Sequence, residues 1–200
     1  MASFYSKKSI ILFPHIPNNH MSQNNTISWS KDHFLNWSNF QAEFNPAELE
    51  DIHSTIKYHY TWIVNSDSDG SQIRFFIENI DLTVEFYPLL SWIRHSEATP
   101  MLLKHEQGHF DLAELLRPKI IKQIQSVFDG KKFPTRGQNQ ERQKQYARED
   151  SGLMIAKEVE RMEKYLFEKQ KEYDKQTNYG QIIEKQQEYD NMFKKLRNIL

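Results

Sequence analysis

The chain has 200 residues, with 26 Lys and Arg against 27 Asp and Glu, a formal net charge of −1 and a pI of about 6.7. So even a balance provides no global field for nucleic acid or a membrane surface. With no cysteine, disulfides and thiolate ligands are excluded, and any metal must be held by His, carboxylate, Tyr or water.

In chain order, Lys7 and Lys8 before Ser-Ile-Ile-Leu-Phe echo a signal peptide. The apolar stretch is shorter than the roughly 7–15 residues of such a core, Pro14 interrupts it, and no small-residue cleavage site follows. Residues 1–26 are therefore expected to be a poorly ordered extension, and the sequence alone slightly favours the cytoplasm. No run approaches the roughly 18 apolar residues of a membrane span.

Residues 27–44, rich in Trp and Phe, read as a short strand and a packed loop. From Ile52 to Val64 apolar residues alternate with His53, Thr55, Lys57, His59 and Thr61, the signature of a half-buried strand. NSDSDG (65–70) reads as a turn. Ile73, Phe75 and Ile77 then alternate, as do Leu82, Val84 and Phe86, but with opposite parity, which predicts a bulge or break near Glu78-Asn79. Together these segments predict an antiparallel sheet with one wet face.

After residue 98 the period becomes helical. Thr99-Pro100 is a good N-cap with proline in the first turn, and Leu102, His105, His109, Leu112, Ala113 and Leu116 follow 3.6-residue spacing. Pro118 is expected to kink or end this helix near Arg117, and Gly130 to stop its continuation. A long polar helix over 140–175 carries an apolar stripe of Ile155, Val159, Met162 and Leu166. A last helix begins near Gln181, with Ile182, Tyr189, Phe193, Leu196 and Leu200.

The chemistry sits in LLKHEQGHFDLAE (102–114). His105 and His109 are four apart on a helix, so both imidazoles can reach one ion, and Glu106 lies one position round. This is the H-E-x-x-H arrangement of zinc hydrolases, with two ligands and a general base. Gly108 leaves room for another segment to approach. The alternative is a pair of ordinary helix histidines whose nearness to Glu106 means nothing. Asp111 and Glu114 point away from the histidines and are expected to pair with a basic side chain or another helix.

Four features carry a resemblance: LNWSNFQ (35–41), the strand ending in SW (91–92), LLKHEQGHFDLAE, and YDKQTNYG (173–180). In that order they resemble bacterial domains of unknown function described as predicted secreted zinc-dependent proteases, whose last block reads Tyr-Asp-x-x-Thr-x-His-Gly. The resemblance implies secretion, a Zn²⁺ cofactor and a peptide or protein substrate. It also implies a third metal ligand in the last block, where this chain has Tyr179 instead of the family's histidine. No histidine follows His109. A catalytic zinc normally takes three protein ligands and a water. Tyr179 (as phenolate) and Asp174 stand level as replacements, with His95 behind them. Loss of the third ligand, and with it of activity, is the remaining possibility.

The expectation is thus an α+β protein forming one domain overall. An extension (1–26) precedes a sheet with the H-E-x-x-H helix (27–130), packed zincin-like, and a helical hairpin (131–200) that closes the site. The predicted activity is zinc-dependent peptide-bond hydrolysis. His105 and His109, with Tyr179 or Asp174, hold the metal, Glu106 is the base, and Tyr173 or Tyr179 donates to the oxyanion. No nucleic-acid partner is expected, and oligomeric state is open. The alternative is a degenerate zincin-like module whose C-terminal helices recruit a protein.

Overall fold

The computed structural model describes residues 11–14, 26–44, 51–69 and 72–199. They form seven strands, β1 (Ile11–Pro14), β2 (Ile27–Ser28), β3 (Ile52–His53), β4 (Ile56–Asp69), β5 (Gln72–Phe86), β6 (Trp92–Ile93) and β7 (Phe133–Pro134), and three helices, α1 (Pro100–Phe128), α2 (Gln140–Thr177) and α3 (Ile183–Ile199). The class is α+β, with antiparallel sheets and a C-terminal helix. One sheet runs in the order β1-β4-β5-β2 with β7 also on β5, and a second pairs β3 with β6.

The chain divides into two compact units that do not follow its order. The first comprises residues 1–18, 60–82 and 119–162, and the second 19–59, 83–118 and 163–200. Strands β4 and β5 and helices α1 and α2 each run through both.

In the first unit β1 pairs antiparallel with β4, Ile11 opposite Val64. An ordered strand therefore stands inside the segment expected to be a loose extension, because four residues here can complete the edge of β4; the rest of 1–26, apart from Thr26, lies outside the described residues. The alternation of β4 places Tyr60, Trp62 and Val64 inside. The strand runs on to Asp69, so the expected turn over 65–70 does not begin at Asn65. That residue is buried and its amide donates to Glu78 Oε2 at 2.6 Å, a cross-hairpin bond that outweighs its turn propensity. Asn79 takes φ +51° inside β5, a left-handed residue that shifts the inward face from Phe75 and Ile77 to Ile80 and Leu82. Ile120, Ile124 and Phe128 of α1 and Ile155, Val159 and Met162 of α2 are also buried here. Trp62 Nε1 donates to Ser151 Oγ at 3.2 Å.

In the second unit α1 opens as its sequence requires, with Leu102 N donating to Thr99 Oγ1 at 3.2 Å. It then passes through Pro118 without ending. A proline in a helix interior forfeits one backbone bond, and the fully buried Phe110, Ala113, Ile120 and Ile124 on either side hold the helix together. Phe86 of β5 and Phe110 pack with ring centroids 6.1 Å apart, and Tyr58 Oη donates to the Ala113 carbonyl at 2.8 Å. Leu112, Tyr173 and Phe193 join α1, the end of α2 and α3 in one apolar cluster. The helical hairpin turns through Asn178, Tyr179 and Gly180, at φ +45°, +55° and +84°, so three successive residues adopt the left-handed conformation that usually favours glycine.

Candidate metal centre

The segments 35–41, 102–114 and 173–180 meet in the second unit. Gln107 Oε1 accepts from Leu35 N at 2.7 Å and Gln107 Nε2 donates to Asp111 Oδ1 at 2.9 Å, tying the first block to the motif helix. Asp111 also accepts from Trp29 Nε1 at 2.8 Å and pairs with Arg197 of α3, whose Nη1 reaches the carbonyls of Ser30, Lys31 and His33. Glu114 pairs with Arg117. Both acids are thus committed to basic partners, as their helix positions predict.

The last block reaches the histidines because Gly108 has no side chain. A Cβ there would stand 2.1 Å from Tyr173 Oη and 2.8 Å from Cζ, so any other residue would push α2 off α1. Gly180 plays the same part at the turn. It holds a positive φ, and a Cβ on it would stand 3.3 Å from His105 Cβ.

With the hairpin seated, Asp174 Oδ1 lies 3.0 Å from His105 Nε2 and 2.9 Å from His109 Nε2. These three groups form a metal-capable cluster, each offering one ligand atom within 4.8 Å of the others. At zinc–ligand distances of roughly 2.0–2.2 Å, neighbouring ligands of a tetrahedral ion stand about 3.3 Å apart, so a few tenths of an ångström of opening would bring Asp174 to that spacing from both nitrogens. Two imidazoles and one carboxylate fit zinc's donor preferences. His105 is fully buried and His109 nearly so. Burial works against protonation of His109, but the hydrogen bond to Asp174 and the charges of Glu106 and Asp174 prevail, and its pKa rises. Burial would raise Asp174, yet its hydrogen bonds to His105 and His109 hold it far below the usual carboxylate range.

Of the alternative third ligands, the geometry draws in Asp174. The Tyr179 ring centroid lies 6.1 Å from that of His105, and the residue is 55% exposed. His95 is exposed, in a short 3₁₀ turn before α1, and belongs to no metal-capable group among the described residues.

Glu106 is buried and accepts a short hydrogen bond from Ser54 Oγ, just beyond β3. It lines a cavity of about 660 Å³ with His109, Asp174, Tyr179, Ser54 and Phe167. Tyr173 sits elsewhere. Its ring stacks on His105 with centroids 4.4 Å apart and planes at 10°, and its hydroxyl is directed to the His105 carbonyl at 3.3 Å and to Gln186. Burial pushes its phenol well above the usual value. Of the two tyrosines expected as oxyanion donors, Tyr179 lines the cavity and Tyr173 stacks behind His105.

Ser54 and Gln186 were not legible in the sequence. A serine after a strand and a glutamine on a polar helix carry no motif, and both acquire a role only through contacts 52 and 81 residues away.

Comparison with protein-family models, curated proteins and solved structures finds no match to this chain.

Proposed function

We propose that the protein is a zinc-dependent peptidase of zincin-like build, in which His105, His109 and Asp174 hold the metal and Glu106 is the general base. The observation that carries this reading is the meeting of two imidazole nitrogens and one carboxylate oxygen beside a cavity that Glu106 also lines. The resemblance to secreted zinc-protease domains belongs to the same proposal.

Bound there, zinc would supply a water with its pKa lowered to about 7 and a Lewis acid for the substrate carbonyl. The chain's own residues do the rest. Glu106 takes a proton on one carboxylate oxygen and passes it to the leaving amine, while Ser54 holds the other oxygen. Tyr179, at the cavity wall, is the neutral donor available to a developing oxyanion. The cavity volume is within the usual range for small-ligand sites and suits a short stretch of extended peptide.

Purified protein is expected to carry close to one zinc per chain and to cleave an unfolded protein substrate. Glu106→Gln should keep the zinc and lower hydrolysis by about 10²-fold or more, while His105→Ala and His109→Ala should each lose the metal. Unchanged cleavage by Glu106→Gln removes Glu106 as the base.

A second reading, a non-catalytic module, draws on a specific observation. Ile182, Ile183 and Met192, on α3 and the turn before it, are exposed apolar side chains suited to a protein partner. Protein purified without bound zinc, and unable to take it up, would select that reading.

A further inference from the structure

We infer that Gln186 of α3 is a positioning residue for the metal centre: it holds a proton on His105 Nδ1, which leaves Nε2 as the nitrogen that would bind a metal, and Asp190 fixes Gln186. The inference rests on the zinc-site reading above and adds to it the residues that prepare the ligand.

Asp190, one turn further along α3, sets the orientation of the Gln186 amide. A carboxylate oxygen only accepts, so the Gln186 side-chain atom 2.9 Å from Asp190 Oδ1 must be the amide nitrogen. The other carboxylate oxygen of Asp190 is paired with Lys104 of α1, which keeps Asp190 from turning away. With its nitrogen assigned, Gln186 presents Oε1, an acceptor, to His105 Nδ1 at 3.2 Å. The second neighbour of that ring nitrogen agrees. Thr177 Oγ1 spends its proton on the Tyr173 carbonyl at 2.7 Å, so toward Nδ1, 3.4 Å away, it too can only accept. Two acceptors on Nδ1 place a proton there, so the Nε2 proton, which faces Asp174 Oδ1 at 3.0 Å, is the one a metal would displace to reach a ring lone pair.

Nε2 is the nitrogen that faces Asp174 and the metal-capable cluster. The ring is further held by stacking on Tyr173, whose own hydroxyl accepts from Gln186 Nε2 at 2.9 Å. Gln186 and Asp190 are both buried, so burying these polar groups without a use for them would only cost stability. Outer partners of this kind typically govern metal affinity by 10- to 100-fold.

The test is zinc affinity, measured on the full chain by competition with a chromophoric chelator. Gln186→Leu, which keeps the size and removes the acceptor, should weaken zinc about 10- to 100-fold. Because this variant also takes from Asp190 Oδ1 its Gln186 donor, a second variant exchanges the roles: in Gln186→Glu with Asp190→Asn, a carboxylate faces His105 and an amide faces back, and affinity should return to that of the unmodified protein or exceed it. Zinc binding by Gln186→Leu within twofold of the unmodified protein, or a double variant as weak as Gln186→Leu, overturns the inference and leaves the zinc site standing. Unmodified protein that binds no zinc overturns the metal reading and this inference with it.

Discussion

The two units bury different things. Inside the first, the described residues are almost wholly apolar: Trp62, Phe75, Leu82, Ile120, Ile124 and Ile155, with Asn65 and Ser151 as the buried polar exceptions. The second encloses His105, Glu106, Gln107, His109, Asp111, Glu114, Thr177, Gln186 and Asp190. Each buried polar group must find a partner or cost roughly 1–3 kcal/mol, so the second unit is built from compensated liabilities and the first from simple burial. A chain that concentrates such liabilities in one place gains something there other than stability, which points to function.

That contrast can be broken deliberately. The largest expected effect on stability comes from the first unit: Ile124→Ala, at a fully buried position, should lower unfolding free energy by about 2–5 kcal/mol and leave zinc affinity unchanged. Urea unfolding and chelator competition on the same sample separate the two effects. Gly108→Ala in the second unit should cost about 1–3 kcal/mol, because the new methyl overlaps Tyr173. Unlike the first variant it should also weaken zinc, since Asp174 shares the displaced segment. Equal zinc binding by both variants would erase the distinction between the units. The smallest effect sharpens the comparison from the other side. At Gly152, also helical, a Cβ would meet only Trp62 atoms at 3.5 and 3.8 Å. Gly152→Ala should therefore stabilise by about 0.5–1 kcal/mol, read as a rise in thermal midpoint with no change in metal affinity.

The same contrast explains what could be read from the sequence. Elements built on one repeating contact are visible as a period. The alternation of β4 and the stripe of Ile155, Val159, Met162 and Leu166 bury as their spacing predicts, and the parity change in β5 marks the left-handed Asn79. The His105/Glu106/His109 constellation was legible because all three share one turn of helix. Asp174 could not be chosen over Tyr179, since its role depends on a contact 69 residues away that depends in turn on Gly108 and on the turn after Thr177. Pro118 and NSDSDG misled for the opposite reason: local preferences were read correctly and tertiary packing overrode them.

The clamp that Arg197 places on Asp111 and on the carbonyls of Ser30, Lys31 and His33 has a consequence for the order of events during synthesis. The LLKHEQGHFDLAE block is complete once residue 114 has been made, but Asp174, Gln186 and Arg197 come 60 or more residues later. A ribosome-bound chain halted after residue 172 carries both histidines and the base with no third ligand, so it should fail to retain zinc that a chain extended through residue 199 holds. Loop closure across more than 160 residues, between Ser30 and Arg197, is the slow step that sets this delay.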